Sequence, residues 1–169
     1  AVLGRHFVDA ITMPKGKKKE EKEEPEEGDP QEESAEPETG AGKFVFPNGT
    51  DSYDGGWVLA DGARQKHGRG VQVVGPERYE GEFAFGRVSG QGKWSFASGA
   101  VYEGGFEDGR FAGQGTYTWA DGAAYVGGWA DNKMHGSGCY TGTDGIEWSG
   151  NFFSGKLEGA DGHVVLRET

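Results

Sequence analysis

YEGGFEDGRFAGQGTYTWADGAAY, residues 102–125, runs from one tyrosine to another and is punctuated by glycines at fixed intervals. A phosphate-binding loop, a flexible linker and a structural unit could each be written this way, and they imply an enzyme, a tether and a scaffold. The flanking sequence decides between them. Tyr79, Tyr102, Tyr125 and Trp148 recur every 23 residues; Gly81, Gly104, Gly127 and Gly150 follow two positions later, and Phe83, Phe106, Trp129 and Phe152 two positions after those. In the same frame lies a glycine pair, Gly90 and Gly92, Gly113 and Gly115, Gly136 and Gly138, followed by alternating aromatics, Trp94 and Phe96, then Tyr117 and Trp119, then Tyr140. A third glycine, at Gly99, Gly122 and Gly145, follows Ser98, Asp121 and Asp144. Three signals sharing one period mark a repeat array.

The array extends both ways from this stretch. An earlier copy opens at Tyr53, Gly55 and Trp57 and has its glycine pair at Gly68 and Gly70, but it reaches Tyr79 only after 26 residues, the extra length falling in VLADGARQK. Before it, FVFPNG at 44–49 aligns with WSFASG at 94–99 as half a copy. A last unit starts at Trp148, Gly150 and Phe152, loses the glycine pattern at Ala160 and Asp161, and ends in HVVLRE as a terminal cap.

Alternation over four or five residues is the period of a strand, and no helix-spaced apolar stretch is long enough to compete. Each unit therefore reads as a β-hairpin, with Asp-Gly or Ser-Gly supplying the positive φ that tight turns need. Tyr102, Gly104 and Phe106 share one face while Glu103 and Gly105 share the other, giving an aromatic face and a polar one. Glycine between two aromatics leaves a gap in which a ring can lie flat. The expected fold is all-β, an elongated twisted antiparallel sheet of consecutive hairpins over residues 41–169.

Residues 1–40 differ in kind. From Pro14 to Gly40 there is no aromatic or large aliphatic residue to anchor a core, so a disordered or extended acidic tail is expected. Six Lys and Arg against twelve Asp and Glu place minus six of the chain's minus eleven charge in this segment. KGKKK at 15–19 precedes EEKEEPEE at 20–27, and so small a basic cluster beside so many acids argues against nucleic-acid binding. Residues 1–12, AVLGRHFVDAIT, are too short and too charged to span a membrane and precede MPKGKKK, which reads as a natural start; no function is assigned to them. The single cysteine, Cys139, cannot form an internal disulfide, which favours an intracellular setting.

YEGEFAFGRVSGQG at 79–92 and YEGGFEDGRFAGQG at 102–115 resemble the MORN repeat (membrane occupation and recognition nexus), as does YVGGWADNKMHGSG at 125–138 with its His-Gly. KHGRG at 66–70 carries a second His-Gly. The resemblance covers about residues 43–155, and SGAVYEGGFEDGRFAGQGTYTW with DGIEWSGNF is closer still to a small member of the family. It implies MORN hairpins and a scaffold in a cytoskeletal assembly. With the lysine-rich start at Met13, it points to a cytoplasmic protein of the cilium or flagellum axoneme.

Chemistry finds little purchase. Neither GxGxxG opening a helix nor GxxxxGK followed by Ser or Thr occurs. His6, His67, His135 and His163 lack metal-ligand spacing. His67 and His135 instead occupy equivalent repeat positions that suggest a hairpin-loop hydrogen bond. Cys139 beside His135 reads as a structural thiol, and Glu80 and Glu82 as solvent-facing carboxylates. No catalytic residue, metal or cofactor is expected. A single sheet with one ring-lined face needs a cover, so the expected site is a partner-binding groove lined by Trp57, Phe83, Phe106, Trp129 and Phe152, with Trp94 and Trp119 beside them. The counter-expectation is that about half of these rings pack on one another instead. The partner is a protein in a larger assembly, axonemal by resemblance, and self-association stays open. Ranked below is a lipid-binding stripe of Arg87, Arg110 and Lys133 for anionic headgroups, disfavoured by the acids in the same units. A third reading is a regulatory subunit of an enzyme.

Overall fold

The computed structural model describes residues 36–158 and the backbone of 163–165. Residues 1–35 of the expected tail, and the cap apart from that short backbone, lie outside the described residues. All strands join one open antiparallel sheet: β1 (Thr39–Val45), β2 (Ser52–Ala60), β3 (Ala63–Val74), β4 (Glu77–Ala84), β5 (Arg87–Ser95), β6 (Val101–Glu107), β7 (Arg110–Thr118), β8 (Ala124–Ala130), β9 (Lys133–Thr141), β10 (Glu147–Phe153), β11 (Lys156–Leu157) and β12 (His163–Val165). Each of the first eleven pairs with its neighbours in sequence, and β12 lies beside β10. The sheet begins at Thr39, two residues before the expected boundary at 41.

Two kinds of strand alternate. Leading strands β2, β4, β6, β8 and β10 carry aromatic-x-Gly-x-aromatic, and returning strands β3, β5, β7 and β9 carry the glycine pair. β1 is of the returning kind: Phe44 faces Tyr53 and Gly42 faces Gly55, as Trp94 faces Tyr102 and Gly92 faces Gly104. The half copy is thus a returning strand without its leading strand.

The tight turns are not where the sequence reading places them. They follow each leading strand, at Asp61–Gly62, Phe85–Gly86, Asp108–Gly109, Asp131–Asn132 and Ser154–Gly155, with both central residues at positive φ (48° and 77° at Asp108 and Gly109). This backbone twist matches that of paired strands. Asp121–Gly122 lies instead in the wider loop between units, where the Trp119 N–H donates to Ala123 O at 2.8 Å and the Gly122 N–H to Trp119 O at 3.0 Å. Positive φ at Gly99, Gly122 and Gly145 serves this loop.

The first glycine of each pair makes a bulge. Gly104 faces Gly115 and Phe106 faces Phe111, so residues 112–114 oppose Gly105 alone. Gly113, at φ 68°, allows the detour. The displaced Ala112 carbonyl then lies where a Cβ on Gly105 would stand, which explains the doubled glycine in YEGG.

The core is a layer of interlocked rings. Tyr102 lies forward along its own strand above Gly104 and Gly115, and its O–H donates to Gly105 O at 2.9 Å. Tyr53, Tyr79 and Tyr125 repeat this with the carbonyls of Gly56, Glu82 and Gly128, at 2.6, 3.0 and 3.2 Å. The ring of the next unit then reaches back. Trp129 sits 5.3 Å from Tyr102, edge to face, although leading strands two apart are roughly 9–10 Å from each other in a sheet. It crosses the glycines of β7, where its Nε1 donates to Gly115 O at 3.1 Å. Phe106 on Tyr79 and Phe152 on Tyr125 repeat the contact at 5.2 and 4.9 Å.

Backbone bonds tie the hairpin tips as well. The turn N–H groups of Gly86, Gly109, Asn132 and Gly155 donate to Lys66, Val88, Phe111 and Met134 carbonyls in the preceding returning strand, at 2.8 to 3.3 Å. Each unit is therefore held to its neighbour by rings in the middle and by amides at the tip.

Candidate functional site

The rings expected to line an open groove fill it. Trp57, Phe83, Trp94, Phe106, Trp129 and Phe152 are buried, with exposures of 3 to 9%. Of the seven, Trp119 is half-buried, edge-on to Tyr117 and Tyr140 at 4.8 and 5.5 Å. The physical reason is the reach across the returning strand. Alternation shows which face a ring occupies, while its cover comes from a strand two places away. A partner cannot contact most of these side chains without opening the core. Apolar surface lies elsewhere, on Val45, Phe85, Val126, Trp148 and Phe153.

Two members of the basic stripe are also already engaged. Arg87 Nη1 pairs with Asp108 Oδ1 at 3.1 Å, and Arg110 Nη1 with Asp131 Oδ1 at 2.7 Å, each reaching an acid in the tight turn of the next unit. In the following turn Ser154 stands where those acids do, and Lys133 makes no ion pair among the described residues. Alternating charges along the tips attract anionic headgroups little. Flotation with vesicles containing phosphoinositide should leave the protein at the bottom; salt-sensitive binding lost on replacing Arg87, Arg110 and Lys133 by alanine would reverse this reading.

The opposite face carries an open concavity across β3 to β8. Its register row is Val71, Glu80, Lys93, Glu103, Thr116 and Val126, with Lys93 Nζ 3.3 Å from Glu103. Arg78 binds Glu80 at 2.6 Å and Arg69 lies 3.9 Å from Glu82, so the paired carboxylates belong to surface ion pairs. His67 Nδ1 accepts from the Phe85 N–H at 3.5 Å, in the tight turn of the next hairpin, and His135 packs against Phe153 at 5.4 Å between ring centroids. Cys139 is a half-buried free thiol facing Val126 and Ser149. Among the described residues, no group of three or more His, Cys, Asp or Glu side chains converges on a metal position.

Sequence reasoning missed one polar site. Lys66 is 3% exposed, and its Nζ donates to Gln72 Oε1 at 2.7 Å while lying 5.2 Å from the Phe83 ring centroid. Gln72 is 1% exposed, and its Nε2 has no hydrogen-bond partner among the described residues. Burial lowers the Lys66 amine to a pKa of about 8. Lys66 stands two residues before the glycine pair, where other units have Val88, Phe111 and Met134. Gln72 stands two residues after it, where they have Trp94, Tyr117 and Tyr140. Aligning the first copy on Gly68 and Gly70 rather than on Tyr53 would have exposed both.

A comparison with protein families matches the MORN repeat at residues 38–51, 79–101, 102–124 and 125–146. These four stretches are MORN repeats, and the three long ones each start on a leading-strand tyrosine. Residues 52–78, with the insertion and the Lys66–Gln72 pair, are unmatched. No curated protein matches the chain, and the likeness to one small member of the family is without support.

Proposed function

We propose that this chain, with MORN repeats along one open sheet, is a non-catalytic scaffold that binds protein partners. The observation that carries this reading is the way the units are joined. Ring reach, tip amides and the Arg87–Asp108 and Arg110–Asp131 pairs make every unit a buttress for the next. The product is a ruler-like surface with a polar concavity on one face and strand edges at its ends. Such nearest-neighbour stacking suits presentation of spaced contacts to a partner. The core rings support that surface rather than forming it.

The finer placement, within a ciliary axonemal assembly of the cytoplasm, rests on the family resemblance and on the KGKKK segment. It is tested by affinity purification and proximity labelling from ciliated and non-ciliated cells. Recovery of axonemal proteins in ciliated cells is the expected result. Partners confined to other compartments would remove the axonemal placement, and no specific partner in either cell type would remove the scaffold reading itself.

A further inference from the structure

The N-terminal edge of the sheet cuts a repeat in half. In the complete copies the second glycine of the pair lies beneath a tyrosine of the preceding leading strand. A Cβ on Gly70, Gly92, Gly115 or Gly138 would run into the ring of Tyr53, Tyr79, Tyr102 or Tyr125, coming within 2.6 Å of Tyr102 Cζ at Gly115. Gly42 holds the same register position in β1, opposite Gly55. A Cβ there would meet only the Phe44 ring, at 3.8 Å. The floor of the ring slot is present and, among the described residues, no ring lies on it.

Two further observations agree. The first glycine of the pair takes positive φ in each complete copy, 72° at Gly68 and 68° at Gly113, because the returning strand bulges against its leading strand; Gly40 at the same position does not. Phe44 is half-buried where Trp94 and Tyr117 are buried, and Val45 is 60% exposed. Among the described residues β1 pairs with β2 alone, which leaves its outer row of N–H and C=O groups open to another strand.

We propose that the outer edge of β1 accepts a strand from a partner protein, an extended segment of pattern aromatic-x-Gly-x-aromatic laid antiparallel so that its first ring covers Gly42. The proposal rests on the binding-module reading above and deepens it. The occupant's chemistry follows from what fills the same position in the other copies: a tyrosine flat on the second glycine of the pair and on the glycine of its own strand, a glycine opposite Gly42 to permit close approach, and a second ring beyond it. A folded second copy does not offer this, since its leading strands are paired on both sides. Residues 1–38 contain no Tyr or Trp and a single Phe, so the preceding stretch lacks the pattern too. Main-chain pairing would supply affinity and the ring slot selectivity.

The test uses the full chain and a labelled peptide of residues 100–108, AVYEGGFED, as the probe strand. Saturable binding by fluorescence anisotropy is expected. Gly42→Val should weaken it roughly ten-fold or more without moving the thermal midpoint, because the valine enters a space that is open in the free protein. Alanine for tyrosine in the peptide should weaken it similarly. Absence of saturable binding, or equal binding by Gly42→Val, overturns the proposal. So does a dimer in sedimentation that Gly42→Val abolishes, since the edge would then belong to a second copy. Partners recovered from cells equally by wild type and Gly42→Val would sink the strand site and leave the scaffold reading standing.

Discussion

Gly115→Val is expected to lower stability by roughly 4 kcal/mol or more, a size reserved for overpacked or broken cores. For a chain of this length that is about 10 °C or more in thermal midpoint. The new Cβ would collide with the Tyr102 ring, and the ring has nowhere to go. It is stacked on Phe111 at 3.7 Å and boxed edge-on by Phe106 and Trp129 at 5.1 and 5.3 Å. Strand separation gives no relief either, because Gly115 and Gly104 face each other across the ladder with no room for a Cβ on either. Displacing Tyr102 also breaks its bond to Gly105 O and exposes the partners that Trp129 bridges. Units contact chiefly their neighbours, so the loss divides the array at its centre. Near-ultraviolet circular dichroism and urea unfolding would register it. A Gly115→Val variant as stable as wild type would mean that the ring does not occupy the slot. Gly42→Val makes the comparison sharp: the same substitution at the same register position should be silent, for want of a ring above it.

Gly115 also shows what is legible in a sequence of this kind. Its period with Gly92 and Gly138, and its spacing from Tyr102, are enough to identify strands, the aromatic face and a slot for a ring. The turns are harder, because Asp-Gly occurs both at Asp108–Gly109 and at Asp121–Gly122 and both glycines take positive φ. Only the register shows that the first closes the hairpin and the second opens the next. The candidate site was misread for a similar reason. Which rings share a face follows from alternation, but that Trp129 covers Tyr102 across β7 follows from the register that sets it opposite Gly113, a tertiary fact that one strand's alternation does not contain. Lys66 and Gln72 escaped because the insertion puts the first copy out of phase with the others.

That pair gives the second large effect. Lys66→Met with Gln72→Leu is expected to raise stability at neutral pH by about 3 kcal/mol, within the range seen when buried polar groups give way to apolar residues of similar volume. The amine's pKa falls from its ordinary 10.5 to about 8 because burial disfavours the charged form. Its hydrogen bond to Gln72 and the nearby Tyr53 and Phe83 rings offset this only in part, and among the described residues no carboxylate pairs with it. Since the folded value lies below the unfolded one, the unfolded chain binds more protons between about pH 8 and 10.5. Wild-type stability should therefore climb through that window and be lost again as pH falls through 8. Tyrosine linkage runs the other way. Burial raises the hydroxyls of Tyr53, Tyr79, Tyr102, Tyr117 and Tyr125, Tyr53 to about 12, so their contribution is lost as pH rises past 10, the ordinary tyrosine value. Urea unfolding from pH 7 to 11 should give a wild-type maximum near pH 9–10, whereas the double variant should be flat up to that point and fall with the tyrosines alone. Lys66→Met by itself should gain less, because it leaves Gln72 Oε1 without its donor. A double variant that keeps the alkaline rise would place its origin in some group other than Lys66.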